Sequence, residues 1–244
     1  MTLQREHDLS AALTYAFEDG IATIAIDDGK ANVMSVSMLR ALDAALDRAA
    51  ADKAVVVLRG RTGMFSAGFD LSVFKRDPQE LFDMLRAGAA ITERLLSFPR
   101  PVVAVCTGHA IAMGAFLLLS TDLRIGTSPD AKIQVNEVQI GLTLPHFAIE
   151  VCRQRLSPAH FNLAAIAAVP YNQHQAVVAG FLDELAPPES LAEVLKSRTD
   201  HLRKLDAESF TATKLRLRGP ALGLLRDAIE RDVAGWSKRL PSPA

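Results

Sequence analysis

VVAVCTGHAIAMGAFLLLS (residues 102–120) runs from an apolar strand through a glycine-bearing turn into an apolar helix. Pro99 and Pro101 stand ahead of Val102 to Cys106, and a proline disfavours helix in the residue before it. That spacing predicts a strand over 102–106, then a helix over about 112–120 after Thr107-Gly108. The same beat recurs on both sides. Upstream, Ala54 to Leu58 is a continuous apolar run, the pattern of a strand buried on both faces. Gly60 to Gly68 reads as a glycine-bearing loop, and 78–97 as a helix with Pro78 near its start. Leu81, Leu85, Ile91 and Leu95 fall at helical spacing. Residues 19–27 alternate as a half-buried strand, and Asp28-Gly29 turns the chain. Ser35 or Ser37 caps a helix carrying Leu39, Leu42 and Leu46. Downstream, 123–126 and 132–135 read as short strands. A helix follows Pro145, another starts at Ser157-Pro158, and Gly180 ends a third over 173–179. Pro187-Pro188 breaks the chain, and 189–240 is helix-forming and strand-poor. Strands alternating with helices argue for an α/β fold with crossover connections and a helical tail.

The chain has 244 residues, enough for one large domain. Its 27 Lys and Arg against 28 Asp and Glu give a formal charge of −1. That balance leaves no electrostatic footprint for nucleic acid or an anionic membrane, both of which call for a concentrated basic surface. With 49% hydrophobic and 23% charged residues the composition is globular rather than disordered. The longest apolar run, Ala110 to Leu119, falls far short of the roughly 20 residues of a membrane span. MTLQREHDLS carries no apolar signal region. Cys106 and Cys152 sit in apolar contexts, where reduced packing thiols are expected. The expectation is a cytoplasmic protein.

Several common chemistries lack their motifs. There is no G-x-G-x-x-G after a strand, no G-x-x-x-x-G-K-[ST] and no H-E-x-x-H. The six histidines are scattered without metal-ligand spacing, so no metal is expected. G-M-F-S-A-G (63–68) fails as a nucleophile elbow because Met64 stands where glycine is needed. Ser66 therefore reads as a loop serine. Three stretches remain. In F-S-A-G-F-D-L (65–71), a small residue beside glycine lets backbone approach a ligand and aim an N–H at it; a plain turn is the other reading. In G-H-A-I-A-M-G (108–114), between strand and helix, free N–H groups at a helix start favour negative charge; again a packing turn competes. In V-N-E-V-Q-I-G-L (135–142), Glu137 is a lone carboxylate among apolar neighbours. Burial would tune it for proton transfer, against the common fate of an exposed loop glutamate.

Taken in order, F-S-A-G-F-D-L (65–71), G-H-A-I-A-M-G-A (108–115), S-T-D-L-R-I (120–125), V-N-E-V-Q-I-G-L (135–142) and A-G-F-L-D-E-L (179–185) resemble the crotonase superfamily, the enoyl-CoA hydratase/isomerase family. The resemblance implies an α/β spiral of ββα units over residues 1–187 and a C-terminal helical oligomerisation region over 188–244. It implies an acyl-CoA thioester as substrate, with coenzyme A part of that substrate and no separate cofactor. It also implies a homotrimer or homohexamer. Carried over by position, the Ala67 and Met113 amides hold the thioester oxygen and Glu137 moves protons. Lys30, Ala31, Ser66 and Gly68 border the coenzyme, Gly114 belongs to the second oxyanion loop, and Phe116 and Phe147 border the acyl pocket or pack in the core. Met113 replaces the family's usual glycine, so its side chain is expected to narrow the acyl site or change which thioester fits. Asp70 reads as a cap, and His146 as a second acid/base or a packing residue.

Hydratases of the family use two glutamates. By the same resemblance the first falls on Phe116, which transfers no proton, and the second on Glu137. The N-E pair followed by Pro145-His146-Phe147 resembles the Δ3,Δ2-enoyl-CoA isomerases of mitochondrial type, and Trp236-Ser237-Lys238-Arg239 is at most a remnant of the hydratase tail. The resemblance thus implies an isomerase. Hydration, thioester hydrolysis or carbon–carbon cleavage is the alternative within the family. A non-catalytic acyl-CoA-binding protein is the alternative outside enzymes, and a nucleotide-binding α/β domain follows only if the resemblance is set aside.

Overall fold

The structure is a computed structural model that describes residues 7–10, 12–128, 130–238 and 240, the first four as backbone only. The N-terminal six residues and Arg239 of the tail segment lie outside the described residues. The chain opens with β1 (His7–Ser10), β2 (Leu13–Glu18) and β3 (Ile21–Ile26), an antiparallel meander of which only β3 is predicted from the sequence. Helix α1 (Val36–Ala51) follows, with the Ser35 hydroxyl accepting from the Met38 N–H. Then come β4 (Val55–Arg59), β5 (Gly63–Ser66) and α2 (Pro78–Ser97); β6 (Val102–Cys106), β7 (Gly108–Ile111) and α3 (Met113–Leu119); β8 (Leu123–Gly126), β9 (Ile133–Gln134) and α4 (His146–Arg155). Each of these three groups is a ββα unit. Its first strand joins a seven-stranded sheet ordered β1-β2-β3-β4-β6-β8-β10, and its second joins a three-stranded parallel sheet ordered β5-β7-β9. Helices α5 (Pro158–Ala165) and α6 (Gln173–Ala179), strand β10 (Glu184–Leu185) and helices α7 (Leu191–Arg203) and α8 (Ala207–Ser237) complete the chain. The expected spiral of ββα units is the observed one.

The small sheet has the composition of turns. Its strands have four, four and two residues, and β5 and β7 each begin with glycine where their backbones touch. A Cβ on Gly108 would lie 1.9 Å from the Gly63 carbonyl carbon, so β5 and β7 meet only because residue 108 has no side chain.

The parallel strands β4, β6 and β8 are buried on both faces. One face belongs to the main core; on the other, Val57, Val103, Val105 and Ile125 pack against Leu191, Val194, Leu195 and Leu202 of α7. Helix α8 buries a stripe of Lys214, Arg218, Leu222, Leu225, Ala228 and Asp232 against α2 and α4. Residues beyond 187 therefore build no separate core: Leu222 and Leu225 belong to the main cluster. Asp183, in the A-G-F-L-D-E-L segment, is structural. Its carboxylate accepts from the Arg124 backbone N–H (2.8 Å) and guanidinium (2.6 and 2.9 Å), tying the α6–β10 turn to β8. Cys106 and Cys152 are free and buried.

Two buried cations anchor α8. Lys214 Nζ donates to the Phe98 carbonyl and Asp122 Oδ2, each at 2.9 Å, and Arg218 donates to the Leu96 carbonyl and Asp122 Oδ1, again at 2.9 Å. The carbonyls lie at the end of α2, where positive charge is favoured. Burial lowers the Lys214 pKa to about 8 even with Asp122 beside it. Asp122→Ala leaves both cations buried without their carboxylate, and a loss of about 3–5 kcal/mol in urea-denaturation stability is expected. A variant within about 1 kcal/mol of wild type would show that the Asp122 carboxylate does not anchor α8.

Candidate active site

Two turns strapped together form one side of the site. Asn32, fully buried, donates its amide to the carbonyls of Ile26 (2.9 Å), Met64 (3.2 Å) and Phe65 (3.3 Å). Ser66 Oγ donates to the Asn32 carbonyl at 2.8 Å and accepts from the Gly68 N–H at 3.1 Å. The Met34 N–H donates to the Gly68 carbonyl at 2.8 Å, and the Ala67 N–H to the Ala31 carbonyl at 2.9 Å. The last bond corrects the expected donor pair, because an amide already bonded to a carbonyl is not free to hold a ligand oxygen. Among the described residues the Phe69 N–H meets no acceptor, so the open amide of this turn lies two positions further on. Asp70 caps the following turn by accepting from the Ser72 N–H, as expected.

The second turn ends β7. Ala112 has φ +50° and ψ −119°, a strained backbone for a residue with a side chain. Its carbonyl accepts from the Ala115 and Phe116 N–H groups, which leaves the Met113 and Gly114 amides at the helix start without intrahelical partners. The two turns touch. Gly68 has φ +96°, and a Cβ there would lie 2.9 Å from the Ile111 carbonyl oxygen and 3.4 Å from the Met113 nitrogen. A Cβ on Gly114 would lie 2.4 Å from the Ser66 carbonyl oxygen. Ser66, Gly68 and Gly114 thus set the spacing of the turns.

The Met113 side chain is fully buried and does not line the cavity, against the expectation that it narrows an acyl site. It packs toward α2, where Gly88 makes room: a Cβ on Gly88 would come within 2.5 Å of the Phe69 ring and 3.4 Å of Met113 Sδ. Gly88 holds both open-amide residues, and no sequence signal points to it because a glycine inside a helix carries no motif.

A cavity of about 560 Å³ opens beside the turns. Ala67, Phe69, Ala112 and Phe116 line it, with Asn136 and Glu137, apolar Leu81, Leu85, Leu142 and Leu144, and Asp232 and Trp236 from α8. Phe116 is a wall of the cavity. Phe147 stands behind it, edge-to-face with Phe116 at 5.9 Å and with Trp236 at 6.4 Å. Lys30 and Ala31 are not among the lining residues; the carbonyl of Lys30 accepts from Arg61, and that of Ala31 from Ala67.

Glu137 leaves β9 and enters a short 3₁₀ turn closed by Gly141 at φ +80°. It is 7% exposed, and its Oε2 has no hydrogen-bond partner. Burial raises its pKa from 4.5 to about 7, opposed by its own backbone N–H. The neighbouring Asn136 Oδ1 is also buried without a partner. His146, at the start of α4, lines the same cavity and is bonded to Asp232 through Nδ1 at 2.8 Å. Among the described residues no three His, Cys, Asp or Glu side chains gather as a metal site, and no helix is long and apolar enough to cross a membrane.

The family model for enoyl-CoA hydratase/isomerase matches residues 16–232. A Thermus thermophilus protein named as an enoyl-CoA hydratase is 30% identical over 205 residues, 81% of this chain and 80% of its own length. A Pseudomonas syringae enoyl-CoA hydratase/isomerase family protein of known structure superposes with a TM-score of 0.90 at 38% identity, covering 93% of this chain and 98% of that one. One Mycobacterium tuberculosis protein has two similar structures, each 40% identical. It is named enoyl-CoA hydratase EchA3 in the first (TM-score 0.88, 93% and 96% covered) and enoyl-CoA isomerase in the second (TM-score 0.86, 94% and 99% covered).

The unpartnered carboxylate sets a pH dependence of stability. Burial makes the folded chain hold the Glu137 proton more tightly than the unfolded chain does. Near pH 4 and below both states are protonated and the site costs nothing. As pH rises from about 4.5 to about 7, the unfolded chain releases its proton first and stability falls. Above that range the full cost is present, about 3 kcal/mol at roughly 1.4 kcal/mol per pKa unit. Glu137→Gln removes it, so the variant is expected to gain by about that amount on wild type between about pH 4 and about pH 8. Urea midpoints measure this, and parallel pH profiles for the two proteins would refute it.

Proposed function

The chain belongs to the enoyl-CoA hydratase/isomerase family, and from that premise we propose that it shifts the double bond of a 3-enoyl-CoA thioester to the conjugated 2-position. The observation that carries this reading is one cavity that joins two turns bearing open amides to a buried carboxylate, Glu137, whose Oε2 has no hydrogen-bond partner and whose pKa is about 7.

The steps follow from the residues. The thioester oxygen accepts from the Phe69 and Met113 amides. Glu137, ionised, takes the C2 proton, and the negative charge of the resulting dienolate moves onto that oxygen. Donors already in place where charge develops are each worth about 3–4 kcal/mol in the transition state. Glu137 then returns the proton to C4. A positioned proton-transfer group adds about 10²–10⁴-fold. The apolar walls take the acyl chain and keep the dienolate away from bulk water. Charge stabilisation by the amides asks for no cofactor beyond the coenzyme A of the substrate.

Two further points support isomerisation over hydration. Phe116, at the position that the resemblance gives to the first hydratase glutamate, is an apolar wall. A relative at 40% identity is named an isomerase. Hydration is the second reading, favoured by the names of the Thermus protein and of the same mycobacterial protein. The reading includes the family's trimeric or hexameric assembly, which light scattering would measure.

Incubation with 3-hexenoyl-CoA or a longer homologue is expected to give the 2-enoyl thioester. Accumulation of 3-hydroxyacyl-CoA would establish hydration instead, and free CoA would establish hydrolysis. Since the base must be ionised, kcat/KM is expected to rise with pH through an apparent pKa of about 7. Glu137→Gln should lose about 10²–10⁴-fold in kcat while still binding the thioester; unchanged turnover would reject the assigned base. Gly88→Ala should lower kcat about tenfold or more by displacing the Phe69 ring, and Phe69→Ala in the same chain should restore it, because the amide survives the loss of the ring. A Gly88→Ala enzyme with wild-type kcat would show that α2 does not hold the amides in place.

A further inference from the structure

His146 has the setting of a proton-transfer group. Its Nδ1 lies 2.8 Å from Asp232 Oδ1. Asp232 comes from the far end of the chain, on α8, and is 5% exposed. The same carboxylate accepts from the His146 backbone N–H at 3.0 Å and the Phe147 N–H at 2.8 Å, so it is fixed at the start of α4 by three contacts. An ionised carboxylate only accepts, so Nδ1 carries the hydrogen of that bond and Nε2 is the nitrogen left over. The imidazole side chain is 56% exposed and lines the cavity that Glu137 also lines. Among the described residues Nε2 has no partner. An imidazole held through Nδ1 by a buried carboxylate, with Nε2 unpaired and the residue on a cavity wall, is the arrangement that general acid–base chemistry uses.

We propose that His146 is a second catalytic residue of this cavity, delivering a proton from Nε2 to the dienolate, and that Asp232 is its positioning residue. The inference rests on the isomerase reading above and changes how its second half runs. Glu137 takes the C2 proton as the C2–H bond breaks, and the electron pair passes into the dienolate. Protonated His146 gives its Nε2 hydrogen to C4. The C4–H bond forms, the electron pair on the thioester oxygen returns to the carbonyl, and the double bond settles between C2 and C3. Glu137 is left protonated and His146 neutral; once the product has left, Glu137 releases its proton to water in the emptied cavity and His146 takes one from water at the half-exposed imidazole, so the pair is restored with no net gain or loss of protons. The hydrogen added at C4 therefore comes from solvent, whereas a lone carboxylate shielded from water would return the one it took.

The test is turnover of 3-hexenoyl-CoA in D₂O, with deuterium at C4 of the product read by mass spectrometry and NMR. Wild type should incorporate close to one deuterium per product molecule. His146→Asn keeps a donor at the Nδ1 position for Asp232 but has no proton to give. It should lose most of that deuterium and about 10²-fold in kcat, with KM and thermal stability near wild type. Asp232→Asn should lower both readouts less, as expected for a group acting through His146. Should His146→Asn fail to fold, His146→Gln serves in its place, and the wild-type label stands as an independent measurement. Retention of the C2 hydrogen at C4 in wild type would overturn the proposal. So would equal label and equal kcat in His146→Asn. Either result leaves the isomerase reading intact, whereas absence of any 2-enoyl product from wild type removes both.

Discussion

Where Gly68 meets Ile111 and Ala112, two stretches of backbone come closer than side chains permit. A Cβ on Gly68 would stand 2.9 Å from both the Ile111 oxygen and the Ala112 Cβ. This contact brings the turn after β5 against the turn after β7, and the free amides of Phe69 and Met113 are neighbours only because of it. Everything around it secures it. Asn32 and Ser66 bind the first turn to the 31–34 segment. The Ala112 N–H donates to the Gln134 carbonyl at 2.9 Å, binding the second turn to β9. Gly88 admits the Phe69 ring behind them. Backbone geometry of this kind is set by three sheet strands and one helix, so it costs no reorganisation when charge appears on a ligand oxygen.

The site is maintained against stability. Glu137 Oε2 and Asn136 Oδ1 are buried with no partner, on adjacent residues that both line the cavity. A hydrogen bond to Oε2 would lower the Glu137 pKa and remove the desolvation that makes it a competent base near neutral pH. The two requirements conflict, and the residue stands on the side of chemistry. Asp232 shows the opposite arrangement, with both oxygens bonded and no orphan left. The cavity thus sets an unsatisfied carboxylate beside a satisfied one, and their surroundings suit them to different roles. Glu137 can exchange a proton, and Asp232 can hold a neighbour still.

Much of this is legible from residues alone, for reasons that differ by element. Helix α2 shows its observed limits in the sequence because Pro78 and the Phe98-Pro99 junction mark both ends and the leucines keep period. Strands β4 and β6 are legible as continuous apolar runs because a helix covers each of their faces. The three-stranded sheet is not, since its strands are short and two of them meet at glycines, as turns do. The burial of Glu137 is readable from its lone charge in an apolar stretch. The unbonded amide in the 65–71 turn lies two residues from Ala67 because every amide there looks alike in sequence; only the Ala67 to Ala31 hydrogen bond separates a used N–H from a free one. Gly88 and Asp232 are invisible for a related reason. Each acts on a partner far away in the chain, and neither sits in a local pattern.

The cavity draws its lining from residues on both sides of position 187. Trp236 closes a stack of rings that begins at Phe116 and passes through Phe147, linking α3, α4 and α8. Asp232 fixes the start of α4, and Arg231, Gly235 and Leu240 join it on the cavity wall. Helix α8 therefore supplies part of the cavity wall. The first two thirds of the chain supply the amides and the carboxylate, but they leave the acyl cavity open on the side that α8 covers. A fold in which the last helix completes the wall ties the formation of the site to the docking of the whole chain, through the Lys214 and Arg218 anchors at one end of α8 and the Asp232 contacts at the other.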